Sequence, residues 1–255
     1  MVQIRVVSDS PEGREAGRAG IVVGTGFFVD SQGYVLTAAH VINKSRDGQI
    51  ALHATVVSFK VAVLLDDSST SSVHFSQSFT VTGATVVDID DVHDVALLKA
   101  SSIQTPVVMD GHPVQARFRT AMLDSRLPPE GQPLLVSGYP LNIPTLVTQN
   151  GMVASESYSY VQVPGARQET VDSILLDSKI NPGNSGGPVY DSTSGSVVGI
   201  CDAYNLAPLG TNEHSKVEIA PGEYLTQNAG IAIVVPIEYA IALLRKNAVS
   251  DFSGN

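Results

Sequence analysis

Short runs rich in Val, Ile and Thr recur along almost the whole chain, with Gly, Pro, Asp and Ser between them. They include residues 20–29, 54–65, 79–87, 95–99, 133–137, 196–201 and 230–235. β-Branched side chains fit a pleated, half-buried surface, and turn residues at such intervals bound strands. Many short strands with few helices between them predict an all-β protein, a barrel or sandwich. Helical periodicity is rare. Residues 38–43 suit one or two turns. Residues 236–246 read as a clear helix, with Pro236 at its start, Ile237, Ala240, Ile241 and Leu244 on one face, and Arg245 and Lys246 in the last turn.

The polar stretch 101–131 carries Pro106, Pro113, Pro128 and Pro129 and has little periodicity. It divides the chain into a first β half over 1–110, a connector over 111–130, a second β half over 131–235 and a helix with tail over 236–255. The Ser/Thr tract 68–72 reads as a loop, and 203–228 as a long loop without a pattern, of the kind that is often functional.

Composition removes several function classes. At 43% hydrophobic and 16% charged, the chain can bury a sizeable core. Its formal net charge of −10 argues against nucleic acid or an anionic membrane as partner. No run reaches the about 18 apolar residues of a membrane span; residues 231–244 come nearest and are broken by Pro236 and Glu238. Cys201 is the lone cysteine, which excludes an internal disulfide and paired-cysteine zinc sites. Met1 to Arg5 carries no apolar core of a secretory signal, which predicts a cytoplasmic chain.

The segment Asn181-Pro182-Gly183-Asn184-Ser185-Gly186-Gly187-Pro188 sets three glycines around one serine. Such a backbone can expose the hydroxyl and turn the N–H groups of Gly183 and Ser185 to one side, as an oxyanion in acyl transfer requires. A plain glycine-rich turn between strands is the competing reading. A serine nucleophile needs a base, and the base an orienting acid. His40 follows the strand-like Leu36-Thr37-Ala38-Ala39, whose small residues leave room for a packed imidazole. Asp88, Asp90, Asp91 and Asp94 lie in reach along the chain. Asp94 opens an apolar strand, while the other three sit in a polar run that suits solvent. His53, His74, His93, His112 and His214 show no metal-ligand spacing.

In order along the chain, these segments resemble a trypsin-like serine peptidase of the chymotrypsin fold, and within it the HtrA/Deg-type branch. Gly24-Thr25-Gly26-Phe27-Phe28-Val29 with Gly33 to Val41 is similar to the histidine region, and Asp94 to Lys99 to the aspartate strand. Ser137-Gly138-Tyr139-Pro140 is similar to the start of the second barrel, 177–188 to the serine loop, and 230–244 to the closing strand and helix. The resemblance implies two antiparallel β-barrels with a short C-terminal helix, and serine endopeptidase activity on a protein or peptide with no metal or organic cofactor. It implies His40 as general base, Asp94 as its orienting carboxylate, Ser185 as nucleophile, and the Gly183 and Ser185 amides as oxyanion hole. It places Lys179, Ile180, Cys201, Asp202, Ala203 and Tyr204 at the primary substrate pocket, where Lys179 would disfavour basic side chains. It also makes 203–228 a candidate cover for that pocket.

Two departures stand out. Asn184 precedes the serine where digestive relatives carry an Asp that pairs with a newly cut N-terminus. Ile21-Val22-Val23-Gly24, which looks like such a terminus, therefore has no acid to meet. The chain also ends soon after the closing helix, so a protease domain without PDZ domains is expected. Two other readings stay open. One is a latent or non-catalytic binding module on the same fold, activated by a partner. The other is an α/β-hydrolase, since 183–187 also fits G-x-S-x-G, although that fold wants its acid and histidine after the serine.

Overall fold

The structure is a computed structural model. It describes residues 1–6, 21–42, 57–61, 63–64, 75–76, 84–100, 107–109, 112–114, 120–143, 146–161, 170–210, 216–220, 222–250 and 252. His53, His74, His214 and the 68–72 tract lie outside them.

In the first half, β1 (Val2–Val6), β2 (Ile21–Phe28), β3 (Tyr34–Ala38), β4 (Val57–Val61), β7 (Ala84–Asp90) and β8 (Val95–Ala100) form one sheet in the order β4-β1-β2-β3-β8-β7. Two short strands, β5 (Val63–Leu64) and β6 (Phe75–Ser76), pair with each other. A single helical turn, α1 (Ala39–Ile42), follows β3 directly. A small hairpin of β9 (Val107–Met109) and β10 (His112–Val114) spans the boundary between the first half and the connector.

The second half holds β11 (Pro133–Gly138), β12 (Val147–Val161), β13 (Thr170–Asp177), β14 (Pro188–Asp191), β15 (Val197–Pro208), β16 (Glu218–Ala220), β17 (Glu223–Tyr224) and β18 (Thr226–Pro236). Six of these close a barrel in the order β11-β12-β13-β18-β15-β14. The chain ends in α2 (Ile237–Lys246). All-β architecture is what the strand pattern predicts, with one closed barrel and one six-stranded sheet among the described residues. No helix among them is long and apolar enough to cross a membrane.

Two apolar clusters hold the halves. Leu134, Val136, Val153, Ile174, Leu176, Ile180, Val189, Val198, Cys201, Ala232 and Val234 fill the barrel. The other joins Phe27, Leu36, Val95 and Leu97 of the first sheet to Val197, Ile200 and Val235 of the second and to Ile237, Ala240, Ile241, Leu243 and Leu244 of α2. The helix thus buries the face its periodicity predicts and ties both sheets together. Each such fully buried aliphatic side chain contributes about 1.5–3 kcal/mol. Pro236 sits at the N-cap, one residue earlier than its reading as the first helical residue.

Residues 203–228 are not an irregular loop. β15 and β18 continue outward as a long hairpin, pairing Leu206 with Asn228 and Pro208 with Thr226, and β16 and β17 pair with each other at its far end. None of its described residues from Leu206 outward is buried, and Leu206, Ile219 and Leu225 are exposed. Backbone ladder bonds, rather than a buried apolar face, make these strands.

Candidate active site

Strand register builds the site. Ala38 of β3 pairs with Val95 of β8, so the residues just beyond each strand end meet. Ala39 extends the ladder, donating its N–H to the Asp94 carbonyl at 2.9 Å. Asp94 sits there with φ of 56°, a left-handed backbone that Asp tolerates better than most residues. The preceding turn is organised by Asp90, whose carboxylate accepts the N–H groups of Val92 and His93 at 3.1 Å each. That backbone aims the Asp94 carboxyl at His40. Oδ1 accepts the His40 N–H at 2.8 Å and Oδ2 stands 2.6 Å from Nδ1.

Asp94 is 1% exposed, whereas the His40 side chain is 36% exposed and reaches solvent. Burial pushes the Asp94 carboxyl up. Hydrogen bonds and charge from His40 outweigh that and leave it below the usual carboxylate range. An ionised carboxylate only accepts, so Nδ1 carries the proton and Nε2 is left with a lone pair. That is the tautomer a general base needs.

The other acids near Asp94 have partners of their own. Asp88 meets Lys246 Nζ and Asn247 Nδ2 at 2.8 Å each. Asp90 pairs with His93 Nδ1 at 2.7 Å, and the His93 ring stacks on Tyr239 at 3.7 Å between centroids. Both carboxylates hold α2 to the first sheet's rim rather than simply facing solvent, as the polar run suggests. Asp91 is exposed.

Ser185 lies on a tight turn between β13 and β14. Asn184 N–H donates to the Asn181 carbonyl at 3.0 Å, Pro182 takes the second turn position and Gly183 the third, with φ of 102°. This is the type II pattern, which needs a residue free to adopt positive φ at that point. A Cβ on Gly183 would also collide with the Tyr139 carbonyl oxygen. The Pro182 carbonyl accepts the Leu141 N–H at 2.8 Å. In a trans peptide the Gly183 N–H then points the opposite way, away from Leu141.

Thr25, buried in β2, locks the turn to the first half. Its Oγ1 donates to the Gly183 carbonyl at 2.6 Å and accepts the Tyr139 N–H at 3.0 Å. Its own N–H donates to the Ser185 carbonyl at 2.8 Å. Gly186 and Gly187 donate to the carbonyls of Cys201 and Asn184. No acceptor among the described residues takes the N–H of Gly183 or Ser185. The loop thus satisfies its neighbours and leaves two donors for a ligand oxygen.

The Ser185 hydroxyl donates to the Asp202 carbonyl at 3.0 Å. The Asp202 carboxylate, 7% exposed, approaches His40 Nδ1 at 3.6 Å. Donor atoms of His40, Asp94 and Asp202 lie within 4.8 Å of one another. At 2.6 Å, Nδ1 and the Asp94 oxygen are at hydrogen-bond distance, closer than two ligands of one zinc ion at about 2.1 Å each would stand.

Other residues at which the resemblance sets the substrate pocket have mixed surroundings. Lys179 is exposed, Ala203 and Tyr204 are half-buried, and Ile180 and Cys201 pack inside the barrel. Burial pushes the Cys201 thiol far above its ordinary value, with the Asp202 charge adding to it. Asn184 is 1% exposed and its Nδ2 reaches Gln149 Oε1 at 3.3 Å. Ile21 to Gly24 pair with β1 and are part of its sheet. Three features escape sequence reasoning: the Thr25 bridge, the Leu141 clamp and the position of the Asp202 carboxyl. Only Thr25, a polar residue between two glycines in an apolar strand, leaves a signal.

Comparison with known proteins agrees with this architecture. The chain is 33% identical over 193 residues to the putative serine protease HhoB of Synechocystis sp., covering 75% of this chain and 35% of that one. It is 30% identical over 179 residues to the serine protease HTRA1 of Xenopus laevis, covering 69% and 30%. It thus spans about a third of the length of these relatives. The solved HtrA-type protease AlgW with decapeptide superposes with a TM-score of 0.56 at 19% identity, over 91% of this chain and 53% of that one, a likeness of fold. The Trypsin-like peptidase domain family matches residues 24–200, well over half the chain. With that match, and with His40, Asp94 and Ser185 brought to the junction of two β halves, the chain belongs to the trypsin-like peptidase domain family and has HtrA/DegP-type relatives.

Proposed function

We propose that this chain is a serine endopeptidase that cleaves peptide bonds through an acyl-enzyme on Ser185. The observation that carries this reading is the pairing of two backbone donors, on Gly183 and Ser185, that no acceptor among the described residues takes, with an imidazole whose Nδ1 is tied to a buried carboxylate at 2.6 Å. Ser185 Oγ gives its proton to His40 Nε2 as it bonds to the substrate carbonyl carbon. Its hydrogen bond to the Asp202 carbonyl must exchange for one to Nε2 at that moment. The carbonyl oxygen becomes an oxyanion held by the two N–H groups, an effect worth about 10²–10³ in kcat per donor. The imidazolium, stabilised by Asp94, then protonates the leaving amine. Water, deprotonated by His40, releases the acyl group and restores Ser185. No step calls for a metal or organic cofactor.

Lys179, with Ala203 and Tyr204, is our candidate for the edge of the primary pocket, favouring acidic or small side chains over Lys and Arg. The test is digestion of unfolded casein and a peptide library by the wild-type protein, Ser185→Ala and His40→Ala, with new termini read by mass spectrometry. New termini only with the wild type support the reading. The same termini from all three, or none from a folded wild type, overturn it.

A further inference from the structure

Asp202 owes its place to a bulge. Cys201 pairs with Val234 and Ala203 with Ile233, so two steps along β15 meet one along β18, and Asp202 is the extra residue. Bulges break strand alternation and re-aim a side chain, often beside active sites. This one buries the carboxyl and brings Oδ1 to 3.6 Å from His40 Nδ1, while the same residue's carbonyl holds the Ser185 hydroxyl at 3.0 Å. Donor atoms of His40, Asp94 and Asp202 lie within 4.8 Å of one another, so the three titrate as one cluster.

We propose that Asp202 is a positioning residue acting through His40, a second carboxyl that joins Asp94 in clamping the imidazole and raises the pH at which the base becomes free. A negative charge about 4–6 Å from an imidazole favours its protonated form and moves its titration by about 1–3 pH units. Ionised Asp202 therefore favours the imidazolium, and a neutral amide in its place does not. Among the described residues, the titratable groups facing Asp202 are His40 from α1, Asp94 from the turn before β8, and the neighbouring Cys201 thiol, which stays neutral. β18 offers only the apolar Ile233 and Val234 opposite the bulge. The catalytic consequence rests on the serine-peptidase reading; the charge effect on His40 does not.

The test is an NMR pH titration of the His40 ring in the histidine-labelled protein, its signal assigned by loss in His40→Gln. The wild type is compared with Asp202→Asn and Asp202→Ser, and kcat/KM is profiled against pH for each. The His40 midpoint is expected to fall by about one pH unit or more in both variants, with the acid limb of kcat/KM moving in step. Coincident midpoints overturn the proposal, even if kcat drops, because lost packing would lower kcat without moving the titration. A falling midpoint in a protein that cleaves nothing upholds Asp202 and removes the peptidase reading. Cleavage with an unmoved midpoint does the reverse.

Discussion

The N–H of Leu141 donates to the Pro182 carbonyl at 2.8 Å, and Leu141 makes that bond from a left-handed backbone with φ of 53°. A leucine held there is strained, and such strain is found where a site over-determines the backbone. The bond fixes which way the Pro182–Gly183 peptide faces, and so whether an N–H or a C=O points at the oxyanion.

Leu141→Pro removes the N–H and forbids the observed φ. It should release the peptide and lower kcat by about 10²–10³, the loss expected for one oxyanion donor. Leu141→Gly keeps the N–H, suits the φ, and should retain kcat. Steady-state kinetics of both variants, with thermal melts to confirm folding, check this. Wild-type kcat in Leu141→Pro would contradict the clamp.

Thr25 serves the same turn from the other side. Thr25→Val leaves the buried Tyr139 N–H without its acceptor and the Gly183 carbonyl without its donor. Each such orphaned group costs about 1–3 kcal/mol. The variant should melt at a lower temperature and label more slowly with a serine-directed probe, and Thr25→Ser should restore both. Differential scanning calorimetry and labelling rates decide it.

The legible parts of this site are those written in local chemistry. Gly183 and Gly186 are required by positive φ, and Asp94 by an apolar strand that begins right after it, so both could be found along the chain. The Asp202 side chain could not. Its direction depends on a one-residue bulge, and a bulge leaves no trace in residue types when both neighbours, Cys201 and Ala203, suit a strand. The outer hairpin of β15 and β18 is hidden for a related reason: with none of its described outer residues buried, it has no apolar–polar alternation to read. The C-terminal helix was easy, because one face meets both sheets and the other meets solvent.

Asp94 predicts a pH dependence of stability with a definite sign. Its carboxyl lies below the unfolded value of about 3.9, so its stabilising effect is complete above that pH and is lost as pH falls through the lowered folded value. Asp94→Asn should flatten the acid side of the melting-temperature profile below about pH 4. It should also lower kcat by a factor on the order of 10⁴, because an amide can hold the imidazole in the wrong tautomer. Melting temperature against pH for the two proteins, alongside kcat at neutral pH, tests both halves.

Whether Ser185 is an activated nucleophile is decided most directly by reaction with a fluorophosphonate probe, followed by peptide mass spectrometry of the wild type and Ser185→Ala. Phosphonylation confined to Ser185, abolished in Ser185→Ala and suppressed in His40→Ala, is the expected result. A folded wild-type protein that stays unlabelled, or that is labelled at another residue, would contradict it.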